Sequence, residues 1–240
     1  MTQCACCGQD CLHKLCTQQI PLFSSLDQDK LTQLPALARH HQYQKGEVLV
    51  REGEELDSLV ILNQGSAKAY KLTPDGREQI LYVFAQGDFF GERHLLGSRR
   101  SPYTVEALET VRTCRFAKED FHNLLRSHPD LAIQVIQELE LRMERMENAL
   151  QSMGVRSVDG RIGTLLLDFA DKYGTPVPEG ILLRLPLSRE GMANFLGIAR
   201  ETVSRKLGQL EADGVLRSVS NKSLLILDAE ALRSFSGKSS

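Results

Sequence analysis

The chain has 240 residues, of which 42% are hydrophobic and 25% charged, and its formal net charge at neutral pH is −2. This composition is typical of a globular protein of one large or two small domains. There is no apolar run long enough to span a bilayer, and no basic segment leads into an apolar one at the N-terminus. We therefore expect a cytoplasmic protein with no membrane partner.

Five of the six cysteines lie in the leader, residues 1–19, which begins MTQCACCGQDCLHKLC; the sixth is Cys114. Structural disulfides are rare in the cytoplasm, so clustered thiols there more often bind a metal or respond to redox state. Thiolates are ligands of zinc and of iron–sulfur clusters. Four interpretations remain open: an iron–sulfur cluster whose fourth sulfur comes from a distant part of the fold, a zinc site that His13 joins, a disulfide switch, or a buried Cys114 beside a leader that binds nothing.

After the leader, residues 25–38 have leucines at roughly helical spacing, which predicts a short helix. Short runs rich in β-formers then alternate with glycines and turn signals such as Pro74-Asp75-Gly76. The predicted strands are EVLV, SLVIL, SAKAYKL, QILYVF, TVEAL and VRTCRF. This spacing predicts an antiparallel β-roll, with a generic β-sandwich as the alternative.

No Gly or Pro follows Pro129 until Gly154, so the sequence predicts one long helix that ends at Met153. Its apolar positions recur every three or four residues: Leu131, Val135, Leu139, Met143, Met146, Leu150 and Met153. A parallel two-helix seam between two copies of the chain would bury such a stripe, and we expect a homodimer. Packing of the stripe on the chain's own β-roll is the alternative.

The last third of the chain follows the pattern of a winged helix-turn-helix. The sequence predicts a helix over 157–174, a polar loop through Pro176 and Pro178, and a strand over 181–187. Two helices over 188–196 and 199–213 are joined by a turn at Gly197, and a β-hairpin follows Gly214. Such a unit places its second helix in the major groove of double-stranded DNA.

The second of these helices has one apolar and one polar face. Val203, Leu207 and Leu210 can pack on the first helix, while a polar stripe near the N-terminus contains Arg200, Glu201, Ser204 and Arg205. Arginine can bind guanine with two hydrogen bonds, and a carboxylate can accept one from cytosine. Thr202 and the hairpin residue Lys222 are candidates for phosphate contacts. No nucleophile–base pair, P-loop or dinucleotide-binding glycine motif is present, so we do not expect an enzyme.

The order of these elements resembles that of the CRP/FNR superfamily of transcription regulators over nearly the whole chain. The segments that carry the resemblance are LGIARETVSRKLGQLEADGVL, GDFFGERHLL and ALETVRTC. It implies an α+β fold with an N-terminal antiparallel β-roll of the cyclic-nucleotide-binding type, a long dimerisation helix and a C-terminal winged helix-turn-helix. The corresponding domain boundaries are 1–19, 20–127, 128–153 and 154–240.

The same resemblance implies that base contacts come from Glu201, Ser204 and Arg205, and that a homodimer binds a palindromic site. Arg200 is more like the CRP branch than the FNR branch, so both TTGAT-type and TGTGA-type half-sites remain open. A surface loop that includes Arg99 and Arg100 would contact RNA polymerase.

Similarity to the FNR branch implies an oxygen-labile [4Fe–4S] cluster that promotes dimerisation and operator binding. Its ligands would be Cys7, Cys11, Cys16 and Cys114, with Cys4 as a possible substitute in the leader. The gaps between these leader cysteines each differ by one residue from the family pattern, which leaves open which three of them are ligands.

Cyclic nucleotide is the alternative effector. Gly91-Glu92 and Arg100-Ser101 resemble the pairs with which CRP holds cAMP, so Glu92, Arg100 and Ser101 are the candidate contacts. The loop between the pairs is shorter than in CRP and Pro102 replaces a small residue, and both differences disfavour a phosphate site.

Overall fold

The computed structural model describes residues 20–23, 26, 34–97, 100–155 and 157–236. Contacts divide the chain into two compact units. The first contains the described residues up to Lys71 together with Leu81–Arg142, and the second contains Leu72–Ile80 and the described residues from Met143 onward. Cys4, Cys6, Cys7, Cys11, Cys16 and His13 lie outside the described residues, as does most of the predicted 25–38 helix, of which Leu34–Leu37 is helical.

Eight strands of the described residues form the β-roll, which belongs to the first unit except at Leu72–Ile80. They are β1 (Ala38–Tyr43), β2 (Val48–Val50), β3 (Ser58–Gln64), β4 (Ala67–Leu72), β5 (Glu78–Phe84), β6 (Phe89–Phe90), β7 (Thr104–Ala107) and β8 (Val111–Ala117). Two four-stranded sheets result, in the orders β1-β8-β3-β6 and β2-β7-β4-β5. All six predicted strands are present, and the predicted β-roll is confirmed.

The sequence analysis missed β1. Its residues, ARHHQY, are mostly polar because β1 is an edge strand that pairs only with β8 and leaves alternate side chains exposed. The antiparallel register places His40 opposite Cys114 and Tyr43 opposite Val111. The edge strand thus brings a histidine next to the isolated cysteine.

Helices accompany the β-roll, and the last of them passes from the first unit into the second at Met143. Besides a short 3₁₀ turn at Pro21–Phe23, they are α1 (Leu34–Leu37), α2 (Glu92–Leu96), α3 (Lys118–Ser127) and α4 (Pro129–Val155). The long helix α4 is confirmed, but it continues through Gly154 to Val155, two residues beyond its predicted end. Helix α3 was not predicted because its apolar residues are few; it buries Phe121 and Leu124.

Helix α4 has two apolar faces rather than the single predicted stripe. Leu131 is fully buried in the core against the first sheet, and Val135 and Leu139 pack against the same core. The alternative prediction, that the stripe packs on the chain's own β-roll, is therefore correct for Leu131, Val135 and Leu139. A second set of apolar side chains is exposed: Ile133, Ile136, Leu141, Met143 and Met146.

The second unit contains the other described elements. They are α5 (Val158–Tyr173), β9 (Gly174–Val177), β10 (Gly180–Arg184), α6 (Arg189–Leu196), α7 (Arg200–Ala212), β11 (Leu216–Ser220), β12 (Ser223–Ile226) and α8 (Ala229–Ser236). The four strands form one sheet in the order β11-β12-β10-β9. Where a polar loop was predicted, β9 forms the edge of this sheet, a position that tolerates Pro176 because an edge strand can lack a donor. Helix α8 was not predicted.

Candidate functional site

Helices α6 and α7 form the predicted helix-turn-helix. The side chain of Ser188 caps α6 by accepting a hydrogen bond from the Gly191 backbone N–H at 3.1 Å. Gly197 ends the helix with a φ of 64°, a left-handed conformation that glycine adopts without strain. The chain then turns through two residues into α7, so these local signals set the spacing of the two helices.

Helix α7 turns its apolar face to the interior and its polar face to solvent. Val203, Leu207 and Leu210 are buried. Arg200, Glu201 and Arg205 are exposed, while Thr202 and Ser204 are half-buried. The predicted base-reading residues therefore lie on an accessible part of the first turns of α7, as a recognition helix requires.

The β11–β12 hairpin is attached directly to α7. The Glu211 carboxylate accepts hydrogen bonds from the Ser218 backbone N–H at 2.8 Å and from the Ser218 hydroxyl at 3.0 Å. These bonds, the backbone one above all, lower the pKa of Glu211. Lys222 lies exposed at the hairpin tip, where its carbonyl accepts from the Leu185 N–H. The hairpin is thus held as a wing beside the recognition helix.

The side chain of Lys206, which follows Arg205 on α7, is directed to α5. Its Nζ lies 2.6 and 2.9 Å from the two carboxylate oxygens of Asp159. In the same turn of α5, Arg161 donates from Nη1 to the Leu196 carbonyl at the end of α6, at 3.0 Å. Both helices of the motif are therefore anchored to the first turn of α5.

Cys114 lies on β8 and is completely buried. Asn63 on β3 donates from Nδ2 to its Sγ at 2.8 Å, and Nδ1 of His40 on β1 lies 3.2 Å from the same sulfur. The sequence analysis singled out Cys114 but missed both polar neighbours, since only the register of three strands brings them together. The sulfur is thus in contact with two polar groups at the edge of an apolar core.

The residues that directly follow the leader pack into that same core. Ile20, Leu22 and Phe23 are buried in the cluster that contains Cys114, and the Phe23 and Phe116 rings meet edge to face at 5.7 Å. Cys16 precedes Ile20 by four residues, which span at most about 14 Å.

The donor set therefore fits a thiolate-bound cluster in one respect: the buried Cys114 sulfur lies in the core that contains the residues directly after the leader. Among the described residues, no group of three or more His, Cys, Asp or Glu side chains is placed to hold a metal ion, so the remaining donors would come from the leader.

The residues that resemble a cyclic-nucleotide site are engaged within the protein. Glu92, at the start of α2, forms an ion pair with Arg142 of α4 at 3.3 Å, and Arg142 also donates to the Phe89 carbonyl at 2.7 Å. The Ser101 hydroxyl donates to the Tyr103 carbonyl at 2.6 Å, and Arg100 is exposed. The carboxylate and hydroxyl that would hold a ribose and a phosphate are therefore bonded to other groups.

Aromatic side chains occupy the interior of the roll beside this corner. Phe84 packs against Phe90 and Tyr103 with ring centroids 5.4 and 6.4 Å apart, and Tyr82 meets Tyr103 edge to face at 5.8 Å. Burial raises the pKa of Tyr103 and, to a smaller extent, that of Tyr82. The Arg142 guanidinium covers the Phe89 ring, with 5.1 Å from Cζ to the ring centroid.

Replacing Arg142 by methionine tests the importance of this contact for stability. The change leaves the Glu92 carboxylate, 13% exposed, without its charged partner. We expect a loss of about 2–3 kcal/mol in the free energy of unfolding, measured by urea titration with far-UV circular dichroism. The double variant Glu92→Gln/Arg142→Met should recover part of the loss because no unpaired carboxylate remains. Equal stability of Arg142→Met and the native chain would contradict a structural role for the pair.

The exposed face of α4 has the spacing of a two-helix seam. Ile136 and Met143 are seven residues apart and Met146 follows three residues later, which matches two successive a positions and the next d position of a heptad. Their side chains are 65%, 61% and 41% exposed, respectively. Large apolar side chains in this arrangement favour contact with a second helix.

Comparison with known proteins identifies the family. A family model described as a cyclic nucleotide-binding domain matches residues 40–128, and one described as a Crp-like helix-turn-helix domain matches residues 160–235. The probable transcriptional regulator flp of Lacticaseibacillus casei is 30% identical over 220 residues, which cover 92% of this chain and 97% of that protein. The chain belongs to the CRP/FNR superfamily of transcription regulators.

Two further members of the superfamily extend the comparison. The fumarate and nitrate reduction regulatory protein of Escherichia coli (strain K12) is 29% identical over 236 residues, 98% of this chain and 92% of that protein. The solved structure of FixK2 from Bradyrhizobium japonicum shares the fold, with a TM-score of 0.75 at 23% identity over 85% of this chain and 99% of that one.

The matched domains and relatives are those of DNA-binding transcription regulators, which are typically dimeric, and not those of enzymes. None of the described helices is both long and apolar enough to cross a membrane.

Proposed function

We propose that this CRP/FNR regulator senses oxygen through a [4Fe–4S] cluster held by Cys114 and three leader cysteines, and that holding it favours an operator-binding homodimer. The leader ligands are Cys7, Cys11 and Cys16, with Cys4 as the substitute. The observation that supports the proposal is that the buried Cys114 sulfur lies in the same core as Ile20, Leu22 and Phe23, the residues that follow the leader.

The surroundings of Cys114 support a sulfur that binds metal. A thiolate ligand carries negative charge, and an N–H donor such as Asn63 Nδ2 stabilises that charge. A cysteine serving only as a small core hydrophobe has no need of a polar partner. The cluster, when bound, supplies an oxygen-labile covalent connection between the leader and the β-roll.

One apolar core contains both the residues that follow the leader and the start of the long helix. Phe23 and Cys114 are buried in the same cluster as Leu131, and Val135 and Leu139 pack against it. A leader fixed at Cys114 therefore restrains side chains in direct contact with the inner face of α4. The exposed residues Ile133, Ile136 and Leu141 lie on the same helix and in the same unit as this core, so a restraint on its inner face would bias the exposed face.

This arrangement links sensing to DNA binding through a population shift. Pairing of two α4 helices would present two α7 helices about one DNA turn apart, near 34 Å, which suits a palindromic site. Moving the monomer–dimer population from almost all monomer to almost all dimer requires about 5.5 kcal/mol of differential stabilisation.

Cyclic-nucleotide control is a weaker proposal for this chain. The carboxylate that would contact the nucleotide, Glu92, is paired with Arg142, and aromatic rings occupy the adjacent interior. A zinc site and a disulfide switch use the same thiols as the cluster, so the experiment below distinguishes them.

The decisive measurement is the metal content of the full chain purified without oxygen. We expect broad absorption in the blue region of the visible spectrum, with about four iron and four sulfide per chain, both lost in air. Size-exclusion chromatography before and after exposure to air should show conversion from dimer to monomer. One zinc per chain and no colour would contradict the cluster and support the zinc site. Absence of both metals, with a disulfide forming in air, would support the disulfide switch instead.

A further inference from the structure

We propose that Asp159 is a positioning residue that sets the specificity of DNA binding. By pairing with Lys206, it fixes the recognition helix on α5 and keeps the Lys206 ammonium away from the DNA backbone. The inference rests on the contacts within the second unit and does not depend on the cluster.

The Lys206–Asp159 pair is close and partly shielded from water. The two oxygen distances of 2.6 and 2.9 Å show that both carboxylate oxygens contact one ammonium, and the side chains are 21% and 32% exposed. Nζ also donates to Oε1 of Gln209 at 3.4 Å, one turn further along α7. Lys206 is thus directed to the α5 side of its helix by two acceptors.

The direction of the Lys206 side chain affects DNA binding because of where Lys206 lies on α7. It directly follows Arg205, an exposed residue of the predicted DNA-facing stripe. Lysine has a flexible four-carbon stem, so a side chain at this position can reach solvent once its partner is removed. A mobile ammonium beside the stripe would bind the phosphates of DNA of any sequence, which raises affinity without raising sequence specificity.

Asp159 is well placed to hold the pair. It lies in the first turn of α5, after Ser157, whose side chain caps the helix by accepting from the Gly160 N–H at 3.2 Å. A carboxylate in the first turn interacts favourably with the helix dipole. Two residues later, Arg161 binds the end of α6. One turn of α5 therefore fixes both helices of the DNA-binding motif, and Asp159 acts on the one that reads bases.

The test compares the native full chain with Asp159→Asn, which keeps the shape of the side chain and removes its charge. The probes are a duplex that the native protein selects from a random-sequence pool and a scrambled duplex of the same composition. Affinity for both is measured over a series of salt concentrations. We expect Asp159→Asn to bind the scrambled duplex roughly tenfold more tightly at low salt. The salt slope should steepen by about 0.9 per new phosphate contact, or about 1.8 in a dimer, and the ratio of specific to non-specific affinity should fall.

Two controls separate this role from a general one. Asp171→Asn removes the same charge from an exposed site on α5 and should leave the slope and the ratio at their native values. The double variant Asp159→Asn/Lys206→Met removes the released cation and should restore the native slope. Equal behaviour of Asp159→Asn and Asp171→Asn would overturn the proposal. A parallel loss of affinity for both duplexes with an unchanged slope would also overturn it, because Asp159 would then serve only the fold.

Discussion

Replacing Arg205 by alanine is expected to weaken binding to the selected operator by roughly a hundredfold or more while leaving the fold and the metal content of the purified protein unchanged. Arg205 is exposed on α7, and the residues that hold the helix in place are Val203, Leu207 and Leu210 on its other face. Truncating its side chain therefore removes little packing. A bidentate arginine–guanine contact contributes about 1–3 kcal/mol, and a symmetric dimer loses two such contacts.

The measurement is a pair of titrations with the selected and the scrambled duplex at one salt concentration. Loss of a base contact lowers affinity for the selected duplex and weakens the protein's preference for one base in each half-site. Binding to the scrambled duplex changes little. Arg126→Ala, an exposed arginine on α3, is the matched control for the loss of one positive charge. An equal loss of affinity for both duplexes would instead indicate that Arg205 contacts a phosphate.

The elements that the sequence predicts well are those encoded by local patterns. Runs of β-formers between glycines gave all six predicted strands, and the apolar period of Val203, Leu207 and Leu210 gave the recognition helix. Strand β1 escaped prediction because an edge strand needs only one buried face, and ARHHQY has little apolar content. The apolar stripe of α4 was predicted as one surface, although its residues divide between the chain's own core and an exposed seam, because periodicity shows that a face is apolar but not what covers it.

The functional contacts that escaped prediction join residues far apart in the chain. Asn63 reaches Cys114 across 51 positions, and Lys206 reaches Asp159 across 47. No local pattern marks these pairs, since each depends on strand register or on how one helix packs against another. Arg142 illustrates the consequence: in the sequence it belongs to the charged flank of a long helix, whereas in the structure it binds Glu92 of the roll. The sequence supplied the family resemblance, and the structure shows which of the family's contact residues are engaged elsewhere.

The second large effect is expected at the cysteines. Cys16→Ser should abolish iron and sulfide binding in protein purified without oxygen, and binding to the selected duplex should fall with it. Serine is nearly isosteric with cysteine but its hydroxyl is a poor ligand for iron, so the variant removes one donor with little change in shape. Cys114→Ser should have the same effect on metal content, but it also places a hydroxyl in a fully buried site, at a cost of about 1–3 kcal/mol where hydrogen bonding is incomplete.

Comparison of the two variants separates ligation from packing. Cys16 precedes the core residues in the sequence, so loss of metal and of DNA binding in Cys16→Ser is due to loss of the ligand. In Cys114→Ser, loss of the ligand is combined with a less stable β-roll. Cys6→Ser is the matched leader control, since Cys6 lies outside the proposed ligand set, and it should retain both metal and DNA binding. If Cys16→Ser bound the selected duplex as tightly as the native chain without oxygen, the leader would have no part in switching. The shared core of Phe23, Cys114 and Leu131 would then be a packing feature of a constitutive DNA-binding protein.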